Sequence, residues 1–307
     1  MAKMNVLRSI VINKKPADIF PLINNFDHWP TWSPWLILEK GVKVNVADDK
    51  KYYEWEGELT GSGNMQITSE EENKSIKSDL QFLKPWKSFA KVNFMLEPEG
   101  EGTKVSWTME SKLPFFMFWM KKMMEAFIAM DYDRGLNMLK DLAENGKIES
   151  TLDFKGNSSF DGCNYIGIKV SCSIEEMKQN MGSNYEKLMH FMADKKELMA
   201  GAPFSIYHKW DMVKQQCVYT ACIPVTKTPE NLPNGVITGS VPKTKTYAVH
   251  HLGSYRHIGN AWSAIYMRQR GKKFKMNKSI DPMEVYLNSP QDTAEKDLQT
   301  EIHFAIK

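Results

Sequence analysis

Glu284 and Tyr286 stand two residues apart in Asp281-Pro-Met-Glu-Val-Tyr-Leu-Asn-Ser-Pro290, a stretch fenced by prolines. Proline cannot donate to a β-ladder and so marks strand edges and turns, which leaves Met283 to Leu287 as one short strand. Side chains alternate faces along a strand, so the carboxylate and the phenol share one face and Met283, Val285 and Leu287 the other. The apolar face is expected to pack on helices, turning Glu284 and Tyr286 toward a groove. A carboxylate half-enclosed by rings can pair with an organic cation, and with a pKa raised by burial it can also act as a general acid or base.

The rings expected around that carboxylate are Tyr207, Trp210, Tyr247, Tyr255 and Trp262. Any one of them alone reads as an ordinary core or rim residue; the set flanking one carboxylate points to a ligand. Tyr207 and Trp210, three apart, cannot both face a groove on an undistorted strand. Candidate catalytic residues are Glu284 and Tyr255. In the N-terminal half Trp29, Trp32 and Trp35 lie in a stiff turn and are candidates for a cavity mouth or for a cap on a sheet end.

Other constellations carry less. His250 and His251 are adjacent on a strand and point oppositely, so even with His257 they do not make a metal site, and no metal is expected. Glu54, Glu56 and Glu58 share a face that reads as solvated, with Tyr53, Trp55 and Leu59 turned inward. No phosphate-binding glycine loop of the Walker or GxGxxG type is present, nor a Gly-x-Ser-x-Gly elbow, so no cofactor is expected.

A chain of 307 residues exceeds the usual single core, so two domains are expected: residues 1–150 and 163–307, joined by a linker at 151–162 where Gly156-Asn-Ser-Ser-Phe-Asp-Gly162 interrupts all periodicity. The net charge of +3 is too small for a dedicated nucleic-acid binder, and the basic run Arg268 to Lys275 reads as a helix end. Four cysteines form no CxxC pair, which fits reduced thiols in the cytosol. The strongest apolar run, Leu113 to Met120, is far shorter than the roughly 20 residues a membrane span needs.

Val6 to Ile12 reads as an opening strand and Pro16 to Ile23 as a short helix. Strands punctuated by turns follow to Met109, then apolar residues recur at threes and fours from Pro114 to Asn145, with Phe116, Trp119, Met123 and Phe127 among them. That spacing predicts one closing helix of about 45 Å. Beyond the linker, strand, helix, strand, strand appears twice. The first helix is expected from Ser183 to about Leu198, the second from Ser254 through Arg268. This is an α+β protein with an internal duplication, and two such units side by side would leave a ligand cleft at their junction.

On these residues two resemblances rest. Pro16-Ala-Asp-Ile-Phe20, Trp29 to Pro34, Trp55-Glu-Gly-Glu58, Gly61-Ser-Gly63 and Gly102-Thr-Lys-Val-Ser-Trp107, in that order, make residues 4–145 similar to the START-like (SRPBCC) superfamily in its polyketide cyclase-like branch, which implies a helix-grip fold around a hydrophobic cavity. Residues 160–307 resemble the gyrase-inhibitor-like, AraC-type effector-binding family through Met199-Ala-Gly-Ala-Pro-Phe204 with Tyr207, Gly253-Ser-Tyr255 with Trp262, Glu284 to Pro290, and Leu298-Gln-Thr-Glu-Ile302. That resemblance implies a groove with Glu284 at its floor. It further implies a small-molecule-binding protein with two cavities, a sensor or sequestering agent for a hydrophobic or cationic organic ligand. Alternatives are a hydrolase of small electrophiles using Glu284, and a protein-binding module. Regulators of this family carry a helix-turn-helix domain, and none is visible here. Neither nucleic acid nor a membrane is an expected partner.

Overall fold

The computed structural model describes residues 2–307. They divide into two compact units, the first ending at Glu149 and the second beginning at Ser150.

The first unit runs β1 (Ala2–Ile12), α1 (Pro16–Asn24), α2 (Trp29–Trp32), β2 (Lys43–Val46), β3 (Tyr52–Gly57), β4 (Gly61–Glu71), β5 (Ser75–Lys84), β6 (Ser88–Glu99), β7 (Gly102–Leu113), a 3-10 helix (Phe115–Met120) and α3 (Lys121–Asn145). Its antiparallel sheet has the order β1-β7-β6-β5-β4-β3-β2, so the first strand returns beside the last. Proline at the first position of α1 costs nothing, because that N–H has no helical partner anyway. Gly146 ends α3 in the left-handed region, its N–H bonded to Leu142 O.

The closing helix is not one element from Pro114. Its first six residues wind as 3-10 helix, and Phe116, Trp119, Met123 and Phe127, which predicted a core-facing stripe, are exposed. The buried face of α3 starts later, with Ala129, Tyr132, Leu136 and Leu139. Helical periodicity marks an apolar stripe without saying what covers it.

Trp107 on β7 and Tyr132 on α3 stack at 3.8 Å between ring centroids, with Phe94 on the other face of Trp107 at 4.9 Å. Trp29, Trp32 and Trp35 meet Trp107 edge-on at 5.7, 5.7 and 5.9 Å. Trp29 and Trp32 are therefore core residues and stand at no cavity mouth; Trp35 is half-buried, its indole N–H donating to Asp131 at 2.9 Å. The rings pack on one another edge to face.

The second unit runs β8 (Ser150–Phe160), β9 (Cys163–Ser173), α4 (Met177–Phe191), β10 (Phe204–Asp211), β11 (Gln216–Val225), β12 (Ile237–Val241), β13 (Thr244–Gly253), α5 (Ile258–Arg270), β14 (Met283–Tyr286) and β15 (Gln299–Ala305). Of the residues expected as linker, 151–160 thus lie in strand β8, which pairs with β13 from Ser150↔Gly253 to Phe160↔Thr244, and only Asp161 and Gly162 lie outside a strand. As an edge strand with alternating half-buried and exposed residues it carries enough Ser, Asn and Gly to look like a linker. Helix α4 begins six residues before Ser183, directly after a turn that Ser173 and Glu176 close reciprocally: the Glu176 N–H donates to Ser173 Oγ, and the Ser173 N–H donates to the Glu176 carboxylate.

The eight strands order as β12-β9-β11-β10-β14-β15-β13-β8, all antiparallel. The two copies, β9-α4-β10-β11 and β13-α5-β14-β15, meet at β10 and β14 in the register Phe204↔Val285, Ser205↔Glu284, Ile206↔Met283. That register is symmetric about the Ser205/Glu284 pair, so a pseudo-twofold axis maps Ser205 onto Glu284 and Tyr207 onto Tyr286.

The helices lie on the opposite face from that expected. Leu188 of α4 and Met192 just after it pack with Tyr207, Tyr219 and Ile223, while Ala261 and Ile265 of α5 pack with Ile302 and Phe304, which puts both helices on the Glu284 side. Met283 and Val285 pack instead with Phe204, Ile206, Cys222 and Val241, backed by Phe160 of β8. Both faces of the central strands are buried, so period-2 alternation could not tell which one the helices cover.

Candidate functional site

Glu284 lies at the centre of the second sheet, between α4 and α5, with only 4% of its surface exposed. Trp262 of α5 donates its indole N–H to Oε2 at 2.6 Å, and Tyr286, two residues along the same strand, donates its hydroxyl to Oε1 at 2.7 Å. The Tyr207 hydroxyl lies within reach as a third donor. Burial raises the Glu284 pKa above its ordinary value, and the three donors oppose that rise. All of its partners are neutral. No lysine or arginine among the described residues pairs with it.

The surrounding rings form a wall. Tyr207 meets Trp262 at 4.9 Å and Trp210 at 6.1 Å, both edge-on. The contact with Trp210 exists because β10 bulges between Tyr207 and Lys209: the extra residue, His208, restores both rings to one face. Tyr255, just before α5, stands edge-on to Tyr286 at 5.8 Å. Burial, then the Glu284 charge, push its hydroxyl up to about 12. Tyr247 is not brought to this site; it stacks on Phe274 at 4.4 Å, and Phe274 in turn meets Phe304.

Three contributors escaped sequence reasoning. Tyr185 of α4 donates to Phe204 O at 2.8 Å, shares a 3.1 Å bond with Ser205 Oγ and stands edge-on to Tyr286 at 5.6 Å. The Tyr286 hydroxyl also lies 3.1 Å from Ser205 Oγ and 3.2 Å from Met181 Sδ. Tyr185 was legible only as part of an apolar helical stripe. The signal that could have found Ser205 is the duplication, since it holds the position equivalent to Glu284.

A second polar group lies on the same face. Thr300 pairs with Tyr286 on one side and with His251 on the other, and His251 pairs with Leu152. The His251 Nε2 lies 3.0 Å from Ser150 Oγ, which also accepts from Asn260 at 3.3 Å. Burial, then His257 and His250, lower the His251 pKa to about 3, so it is neutral. Among the described residues no cluster of His, Cys, Asp and Glu could hold a metal ion, and no helix is long and apolar enough to cross a membrane.

Residues 3–144 match the family described as polyketide cyclase / dehydrase and lipid transport, and residues 160–307 match the GyrI-like small molecule binding domain. The chain joins a polyketide cyclase-type domain to a GyrI-like domain. No curated protein matches it. Among solved structures it is similar to EcmrR in its DNA complex (15% identity, 61% of this chain and 68% of that one, TM-score 0.41) and to the EcmrR C-terminal domain (18%, 52% and 98%, 0.39). It is also similar to the Aha1 dimer from Colwellia psychrerythraea (20% identity, 48% and 99%, TM-score 0.36). Both domains are of small-molecule-binding type. In the GyrI-like half the pseudo-twofold axis passes between Ser205 and Glu284.

Proposed function

We propose that the GyrI-like half binds a small organic cation with an aromatic or apolar body, in a groove between α4 and α5 anchored by Glu284, and that the protein acts as a sensor or sequestering agent for it. The observation that carries this reading is a buried carboxylate whose only partners are neutral donors. Such a group bears the desolvation cost of its charge without a counter-ion, and a ligand cation supplies one. Tyr207, Trp262, Tyr286 and Tyr255 offer ring faces and edges for the ligand body, and an ammonium over a desolvated ring gains about 2 kcal/mol.

The hydrolase reading uses the same carboxylate to activate water, with Tyr255 or Tyr286 as proton donor. The binding reading is favoured because the three neutral donors only oppose the burial-raised pKa and bring no positive charge, whereas a ligand cation supplies the missing counter-ion. Calorimetry with a panel of planar aromatic cations tests the binding reading: wild type binds and Glu284→Gln loses at least about tenfold in affinity, the loss expected from truncating a charged hydrogen-bonded partner. Equal affinity in the two proteins refutes the anchor. Turnover of a strained-ring electrophile that Glu284→Gln abolishes would replace binding by hydrolysis.

A further inference from the structure

One end of the first sheet carries exposed apolar residues that the fold of the first unit does not bury. Strand β5 ends there at Lys84, β6 begins at Ser88, β7 ends at Leu113 and β1 begins opposite it, with Ala2↔Leu113 and Lys3↔Lys112 in register. Ser111 Oγ donates to Phe89 O at 2.9 Å, tying the β5–β6 turn to the end of β7. From these neighbouring segments Trp86 (54% exposed), Phe89 (66%), Phe116 (74%) and Trp119 (69%) present their rings to solvent. Met123 on the first turn of α3 is also exposed.

Two further features specify what covers these rings. Lys3, Lys87, Lys112 and Lys122 are exposed in the same segments, and none of them has an acidic partner among the described residues. Lys84 and Lys121, also there, are engaged by Glu56 and Glu125. The indole N–H of Trp119 is already bonded to Phe116 O at 3.1 Å, so its ring can leave water without stranding a donor. Exposed rings, with the Trp119 N–H already bonded, rimmed by unpaired lysines, match the chemistry of an anionic lipid interface. The Leu113–Met120 run is too short to span a bilayer, yet a helix lying in the interface needs no such length.

We propose that this end of the polyketide cyclase-type domain docks reversibly on anionic phospholipid membranes, with Phe116, Trp119, Trp86 and Phe89 entering the headgroup region and the four lysines facing its phosphates. The full chain is mixed with vesicles of phosphatidylcholine alone and of phosphatidylcholine with phosphatidylserine, and bound protein is measured by co-sedimentation. Binding to the mixed vesicles is expected, with little to phosphatidylcholine alone. Binding falls at high salt as the Debye length shrinks from about 10 Å at 0.1 M to about 3 Å at 1 M. Phe116→Ala with Trp119→Ala lowers the partition by at least about tenfold. Lys112→Glu with Lys122→Glu abolishes the anionic preference while circular dichroism stays native. Absence of vesicle binding by wild type overturns the proposal. So does a concentration-dependent dimer that the Phe116/Trp119 pair of substitutions dissociates without any vesicle binding, since the patch is then a contact between two copies.

Discussion

Acid should weaken the GyrI-like half through His251. This side chain is fully buried, with its Nε2 on Ser150 Oγ, and its pKa in the fold is about 3 against an ordinary 6.5. Desolvation is the chief cause, followed by the neighbouring His257 and His250. A histidine whose pKa is depressed by folding gives its full contribution above 6.5, because both states are then neutral. As pH falls below 6.5 the unfolded chain takes up a proton that the fold refuses, and stability drops by about 1.4 kcal/mol per pH unit. From neutral pH down to 4.5 the loss is about 3 kcal/mol, and near pH 3, where the fold itself begins to take up the proton, it is about 4 kcal/mol. Two acidic residues act over other ranges. Glu301, held at about 2 by His303 and Lys155, loses its contribution only as pH falls below its ordinary 4.5. Glu284, raised by burial, works in the opposite sense, since the fold is relieved of a buried charge as it protonates. Urea denaturation of wild type and His251→Gln at half-unit steps isolates the histidine: the stability difference between them should change with pH by the slope given above, from pH 6.5 downward. A difference that stays flat over that range would refute the burial argument.

Trp262→Phe keeps the ring but removes the 2.6 Å hydrogen bond to Glu284. Loss of a donor to a buried charge costs about 1.5–3 kcal/mol, and Glu284 should titrate at a still higher pH, readable by infrared carboxyl bands. Unchanged bands would show that the indole N–H does little for the carboxylate. The Cys217 thiol lies 3.7 Å from that of Cys172, and its pKa is pushed up to about 12, chiefly by burial, with Cys172 adding to the effect. A neutral thiol-specific reagent at pH 8 should therefore modify Cys217 in the folded protein far more slowly than in urea, and equal rates would refute it.

Most strands of both halves and the repeated strand, helix, strand, strand order were legible, because alternation bounded by Gly and Pro turns is a short-range signal, whereas the edge strands β2, β8 and β12 were not. So was the sharing of one face by Glu284 and Tyr286, which follows from strand geometry alone. The placement of the helices on that same face was not, since Met283 and Val285 are equally buried against Phe204, Ile206 and Phe160. Trp210 joins Tyr207 only through the bulge at His208, a one-residue irregularity that nothing in the local sequence announces. Tyr247 looked like a groove ring because it is a tyrosine on a neighbouring strand; its true partner, Phe274, sits in a segment without periodic structure. The reciprocal turn Ser173-Ile-Glu-Glu176, which leads directly into α4, could have been read from its Ser-x-x-Glu spacing and would have moved the start of the helix earlier.

The axis between β10 and β14 sets a limit on the duplication itself. Ser205 and Glu284 are directly opposed across the two strands, where facing β-carbons stand about 4.5–5.5 Å apart. Were the copies chemically identical with an acid at this position, two buried carboxylates would confront each other and share a single proton, as like charges so close cannot both ionise. One anionic anchor at the axis thus requires the repeat to be broken there, and the hydroxyl of Ser205, bonded to Tyr185 and Tyr286, is a neutral counterpart that fills the position. A pair of equivalent half-sites becomes one directional site, able to distinguish the charged end of a ligand from its body.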